Sequence, residues 1–179
     1  MHLSARTTLL GSTVRVRMVD IRVLARSDLE AATSLLDRWL GGRNQARLGE
    51  VHDVLALGGF GAWDNGELVG VATYAREGER AELAAIAVSS EHRRKNIATL
   101  LIEAIANAAR SDGAHELWLV TTNDNLDALR LYQRRGFCLT ELHPGAVDRA
   151  RAQKPSIPLR GEYDIPIRDE LVLTLSLIS

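Results

Sequence analysis

Arg93-Arg94-Lys95 stands directly ahead of Asn96-Ile97-Ala98-Thr99, where an apolar stripe begins at helical spacing (Ile97, Leu100, Leu101, Ala104, Ile105, Ala108). The first turn of a helix leaves backbone N–H groups unpaired and carries partial positive charge, so an anionic phosphate is stabilised there. Three cations beside that point add to the attraction. The chemistry this spacing could perform is therefore the cradling of a pyrophosphate at a β-to-α turn. A solvated basic surface run is the plain alternative. A nucleic-acid patch is disfavoured because no aromatic residues are interleaved with the basic ones. Other phosphate and metal motifs fail: the chain has no GxxxxGK[ST], "GFGAWD" ends in Asp64 rather than glycine, and "HELWL" lacks the second histidine of a zinc protease.

The elements that must position this turn follow from periodicity. "DIRVLA" (20–25) is a short β-branched run. Leu29, Ala32, Leu35, Leu36 and Trp39 fall on one helical face, with Ser27 or Asp28 as N-cap and Gly41-Gly42 as the stop. A weaker helix is expected over Arg47–Leu57. "GFGAWDNGELVGVATYARE" reads as a hairpin around Asp64-Asn65-Gly66, since Asn-Gly is a strong signal for a two-residue hairpin turn. "RAELAAIAVS" (80–89) is a strand, followed by the helix after Asn96, which closes near Gly113. "HELWLVTT" is a buried strand. "NLDALRLYQRRG" is a helix with Leu126, Leu129 and Tyr132 on one face and Gly136 at its end. "FCLTELH" and "ELVLTLSLI" are two last strands; the first buries Cys138 as a packing residue, and the second alternates strictly, with Leu171, Leu173, Leu175 and Leu177 on one face. The order β-α-α-β-β-β-α-β-α-β, a long loop and β indicates an α/β mixed sheet with helices on its faces.

The whole-chain numbers narrow the class further. With 179 residues there is room for one domain, and 46% apolar with 25% charged residues is a globular composition rather than a disordered one. A net charge of −1 removes the electrostatic signature of a non-specific nucleic-acid binder. The one cysteine excludes an intrachain disulfide and a Cys-rich zinc site, so no metal is expected. No apolar run approaches the ~18 residues that span a bilayer, so no membrane partner is expected and the location is read as cytoplasmic. Residues 1–17 carry three arginines and no acid. They read as a poorly ordered extension ahead of a single domain over 18–179, with a transit peptide as the alternative.

Val88–Leu101, "VSSEHRRKNIATLL", resembles motif A of the GCN5-related N-acetyltransferases, whose loop [QR]-x-x-G-x-[GA] wraps the pyrophosphate of acetyl-coenzyme A. Arg93 and Ala98 match its ends, and Asn96 stands where glycine is usual; Asn tolerates left-handed backbone angles better than most residues. "NDNLDALRLYQRRGF" resembles motif B through Asn125, Ala128, Tyr132, Gly136 and Phe137. The two motifs occur in the family's order with a strand between them, and the resemblance covers roughly Asp20–Leu142.

The resemblance implies the GNAT fold, with a mostly antiparallel central sheet, helices on both faces and splayed strands at an acetyl-CoA cleft. It implies acetyl-CoA as cosubstrate, bound by Ile86, Ala87 and Val88 of the strand, by Arg93, Arg94, Lys95, Asn96, Ile97, Ala98 and Thr99 of the loop and helix start, and by Asn125. Asn125 is equally an ordinary N-cap. Tyr132 is the implied general acid for the departing thiolate, against the plain reading of a core aromatic with its hydroxyl satisfied locally. Glu82 resembles the acid that some members use as general base, directly or through water; the alternative is a solvated strand-end charge. The implied activity is acetyl transfer to a primary amine, and aminoglycosides, polyamines, amino acids and protein amines all stay open as acceptors. The rival function is a CoA-binding regulatory or interaction module without turnover. All four prolines fall between 144 and 166, in a segment that resembles the C-terminal part of a bacterial subset of the family and is expected to form a semi-rigid flap over the acceptor side. A dimer contact is the alternative for that segment. Oligomeric state is left open, a homodimer being the state that analogy suggests.

Overall fold

The computed structural model describes residues 19–178; the N-terminal extension expected over 1–17 lies outside them. The elements in chain order are β1 (Asp20–Val23), α1 (Leu29–Trp39), β2 (Asn44–Arg47), β3 (Glu50–Asp53), β4 (Gly58–Asp64), β5 (Glu67–Glu77), β6 (Arg80–Val88), α2 (Ile97–Ser111), β7 (Glu116–Thr122), α3 (Leu126–Arg134), β8 (Cys138–His143), α4 (Ala146–Gln153) and β9 (Glu170–Ser176). Seven strands form one sheet in the order β1-β4-β5-β6-β7-β9-β8, and β2 with β3 makes a separate hairpin. Every neighbouring pair in the sheet is antiparallel except β6 with β7.

Helices cover both faces. Ile97, Leu101, Ile105 and Ala109 of α2 and Tyr132 of α3 share a core with Ala81, Leu83, Leu117, Leu119 and Leu173 of the sheet. Ala32, Leu35 and Leu36 of α1 pack on the other face against Val71, Ala85 and Ala87. This is the mixed α/β architecture that the element order implied.

Strand β6 carries an irregularity on which the site depends. Side chains of a regular strand alternate, so 81, 83, 85 and 87 should share a face. Instead Ala81 and Leu83 face α2 while Ala85 and Ala87 face α1. The β5 register explains the switch: Thr73 pairs with Ala85 and Tyr74 with Leu83, leaving Ala84 as an extra residue on β6. A bulge of this kind bends its strand and increases the local twist. The parallel pairing of β6 with β7 stops at Glu82↔Trp118, just before the bulge. Beyond it β6 keeps only β5, β7 keeps only β9, and the two free edges open into a splay.

Several expectations are corrected. The helix expected over Arg47–Leu57 is replaced by the β2–β3 hairpin and a short 3₁₀ turn at Val54–Ala56. Val51, Val54 and Leu55 imitate helical spacing, but Leu48-Gly49 forms the two-residue turn, with φ of 49° and 85°. Two successive left-handed residues end any helix. The long loop between the last strands holds α4, which buries Ala146, Val147 and Ala150 and stops at Lys154, before Pro155. Cys138 is exposed rather than packed, because β8 is the edge strand of the sheet. Leu126 is also exposed, since it opens α3 ahead of the turn that reaches the core. The strict alternation of β9 holds, with Leu171, Leu173, Leu175 and Leu177 all on the α2 side. No helix among the described residues is long and apolar enough to cross a membrane.

Arg151 fastens the start of the segment after α4. Arg151 donates from Nε to the Ile157 carbonyl (3.2 Å) and from Nη2 to the carbonyls of Pro158 and Ile167 (2.7 Å each). Replacing it by methionine keeps the apolar stem and leaves these acceptors to water. Arg151→Met should destabilise by about 1–3 kcal/mol, read as a lower urea midpoint, and should speed limited proteolysis between 154 and 166.

Candidate active site

The basic loop follows β6 at the wide end of the splay. Its backbone is unusual: Arg94 (φ 61°) and Asn96 (φ 66°) are both left-handed. Alternation of this kind turns successive N–H groups toward one concavity, a nest for anions. Among the described residues, no backbone N–H from Arg94 to Thr99 has a hydrogen-bond acceptor. Asn96 takes the N-cap position of α2 without a side-chain cap, and its left-handed angle is the one expected where glycine is usual. The side chains of Arg93, Arg94, Lys95 and Asn96 are exposed, whereas Ile97 and Thr99 are buried and Ala98 is half-buried. Ile97 can therefore offer a ligand only its backbone. Arg93 stacks over Trp39 of α1, 5.4 Å from the ring centroid.

A contact that sequence reading missed holds the approach to this loop. His92 bonds Ser89 Oγ through Nδ1 (2.8 Å) and Asp64 Oδ2 through Nε2 (3.2 Å), tying the turn after β6 to the β4–β5 hairpin. The pieces lie 28 residues apart, so no local signal announces the bond.

Within the splay, Ile86 and Val88 pack toward α2 and Ala87 toward α1, an arrangement set by the bulge. Glu82 sits where the strands part. It is 8% exposed, which removes the solvated strand-end alternative. Both carboxylate oxygens receive the Arg47 guanidinium, Oε1 from Nε and Oε2 from Nη2, the latter at 2.6 Å. Arg47, from the end of β2, is equally buried, and its Nη1 has no acceptor among the described residues. Each Glu82 oxygen keeps a second lone pair, so the fork fixes the carboxylate without saturating it.

Tyr132 is buried on α3, its ring 5.7 Å from that of Phe137. Burial pushes its phenol up to about 12 from the usual 10.0. Burial is the one cause of that shift and no hydrogen bond to the hydroxyl is present among the described residues, while the ring itself belongs to the core under α2. Asn125 caps α3, its Oδ1 accepting from the Ala128 N–H (3.3 Å), and its amide nitrogen has no acceptor among the described residues.

The proline-bearing segment closes over the face that carries Arg47. Gln153 donates to the Gly49 carbonyl (2.9 Å), and Lys154 Nζ to those of Asn44 (2.7 Å) and Gly41 (3.2 Å). Asn123, just after β7, holds the other end: its Nδ2 donates to Pro166 O, and its Oδ1 accepts from Arg168 and Asp169. Asp124 Oδ2 accepts from Glu162 N (3.2 Å), and a Cβ at Gly161 would lie 1.8 Å from that oxygen, so this approach requires glycine. Among the described residues no His/Cys/Asp/Glu cluster could hold a metal ion.

Comparison with known proteins agrees with this geometry. Residues 25–137 match the family model described as the acetyltransferase (GNAT) family. The Bacillus subtilis uncharacterized protein YxbD is 42% identical over 122 residues, which span 68% of this chain and 76% of that protein. A streptothricin acetyltransferase of Streptomyces lavendulae is 38% identical over 80 residues, 44% of this chain and 42% of its own. The crystal structure of a Bacillus subtilis acetyltransferase in complex with CoA shares the fold, with a TM-score of 0.66 at 20% identity, covering 90% of this chain and all of that one. The chain belongs to the acetyltransferase (GNAT) family.

The buried pair sets a thermodynamic expectation. Arg47→Met leaves the Glu82 carboxylate buried without a cation and should cost about 3–5 kcal/mol. Adding Glu82→Leu should recover most of that loss, because two apolar groups replace the whole pair. Urea denaturation of the two single variants and the double variant measures the coupling.

Proposed function

On this family membership we propose that the chain is an acetyl-CoA-dependent N-acetyltransferase that acetylates a primary amine. The observation that carries the reading is the row of unpartnered amides from Arg94 to Thr99 at the mouth of the β6–β7 splay. A pyrophosphate would satisfy these donors at the positive end of the α2 dipole, with Arg93, Arg94 and Lys95 contributing mobile charge. The free edge of β6 past the bulge supplies N–H and C=O groups at Ile86 and Val88 to an amide-bearing arm lying along it, as a neighbouring strand would, while Ala87 turns its own toward β5 and can meet the arm only through its side chain. Acetyl-CoA supplies an activated acetyl thioester; the residues of this chain orient it and move protons.

Glu82 takes the proton lost by the attacking amine, directly or through a water on its open lone pairs, while Arg47 keeps it oriented. Tyr132 donates to the leaving sulfur. Its raised proton affinity keeps the hydroxyl protonated through neutral pH, so the group is always in donor form. Asn125 directs its amide nitrogen to the pantetheine arm. The acceptor enters from the face closed by the β2–β3 hairpin and the segment around α4, and this flap is the mark of the bacterial subset with a proline-bearing C-terminal segment.

Thiol release from acetyl-CoA on a panel of primary amines tests the activity. CoA binding without release on that panel would overturn it and favour a binding module. Tyr132→Phe keeps the ring contact with Phe137 and should lower kcat about 100-fold with unchanged CoA affinity. The sign of the pH dependence follows from burial: the proton is lost only above the ordinary value, so wild-type kcat should show no alkaline limb from Tyr132 below about pH 10.

A further inference from the structure

Glu170, the first residue of β9, is only 2% exposed, yet no lysine, arginine or histidine nitrogen among the described residues lies within 4.0 Å of its carboxylate. Among the described residues its one hydrogen-bond partner is the Leu48 N–H, donating to Oε2 at 2.8 Å. The other large buried carboxylate on this face, Glu82, has Arg47. A buried carboxylate without a counter-charge is unfavourable as an anion unless it takes up a proton or a cation arrives. Glu170 also lines a cavity of about 210 Å³, with Gln45, Thr122, Val147, Lys154 and Ile157 among its walls. Lys154 lines the same cavity, but its ammonium is directed to the carbonyls of Gly41 and Asn44 and makes no ion pair with Glu170.

The cavity lies beside the reacting centre rather than at it. Glu170 pairs with Thr122 on β7, and β7 forms one wall of the splay, so β9 stands two strand spacings from β6. Two paired spacings would be roughly 10 Å, and the splay widens the gap further at the level of Thr122. A cation held by Glu170 therefore belongs to a part of the acceptor removed from the nitrogen that is acetylated. The small volume fits a short amine-bearing chain, since whole drug-sized ligands need about 300 Å³ or more.

We propose that Glu170 is a specificity-determining residue that binds a second cationic group of the acceptor, so that the substrates are small diamine-like molecules rather than neutral or anionic amines. The acceptor role of the cavity rests on the acetyl-transfer reading above; the cation preference does not.

The test separates the two. Pentane-1,5-diamine, pentane-1,5-diol and pentanedioate share a skeleton and carry positive, neutral and negative ends. Titrated calorimetrically into CoA-saturated protein, the diamine should bind about tenfold tighter than the diol, with pentanedioate weakest. Glu170→Gln keeps an oxygen for the Leu48 N–H and should bring diamine and diol to within about threefold. A diol that binds as tightly as the diamine, absence of saturable diamine binding, or a preference that survives in Glu170→Gln would each overturn the proposal. Should that variant not fold, Thr122→Lys places an ammonium opposite Glu170 on the ladder and must abolish the diamine preference; retention would be equally fatal. Thiol release from acetyl-CoA is followed in parallel. Charge-ordered binding without turnover would leave the cation site standing and remove the acetyl-transfer reading, while turnover without charge order would do the reverse.

Discussion

The extra residue at Ala84 is the constraint from which the rest of the site follows. It bends β6 away from β7 immediately after Glu82↔Trp118, so a seven-stranded sheet acquires an internal opening. It also reverses the facing of every later side chain on β6. Leu83 seals the core under α2, and two residues on Ala85 seals the one under α1, while the backbone between them is left unpaired on one edge. An unpaired strand edge is ordinarily a liability that proteins cover. Here it lies inside the molecule, between two strands, where a ligand with peptide-like groups can complete it.

Charge is distributed around this opening with the same economy of position. The mouth holds exposed cations and free amides, suited to phosphates. The opposite face holds Arg47, Glu82 and Glu170, all buried. The link between these is the dipeptide at the tip of the β2–β3 hairpin: the Arg47 side chain reaches Glu82 and the Leu48 amide reaches Glu170. Leu48 adopts a left-handed angle there, a conformation that costs a branched residue roughly 1–2 kcal/mol. The contacts to both carboxylates and to Gln153 over-determine that turn, so local preference is overridden by tertiary bonding.

The part of the site that could be read along the chain is the part built from neighbours. The loop from Arg93 to Thr99, its left-handed Asn96 and the cap at Asn125 involve residues within a few positions of one another, and local chemistry is enough to anticipate them. The hairpin at Asn65-Gly66 was equally plain, with φ of 52° and 83°. Elsewhere the local pattern is ambiguous. The stretch from 47 to 57 has apolar residues at helical intervals, and the deciding feature is the single Gly49. α4 is short, only half of its eight residues are apolar and those are mostly alanine, so Arg151 and the hairpin add to a weak apolar stripe.

Periodicity by itself determined the mixed sheet, and two short motifs carried the family resemblance and marked the basic loop, because each depends on residues close in sequence or on a repeated period. Only the tertiary structure decided which charges are buried and with whom. Glu82 meets Arg47 across 35 positions, Glu170 meets Leu48 across 122, and His92 meets Asp64 across 28. The desolvation that makes an unpaired carboxylate costly exists only once the chain has closed around it, and no linear pattern encodes which group is left without a partner.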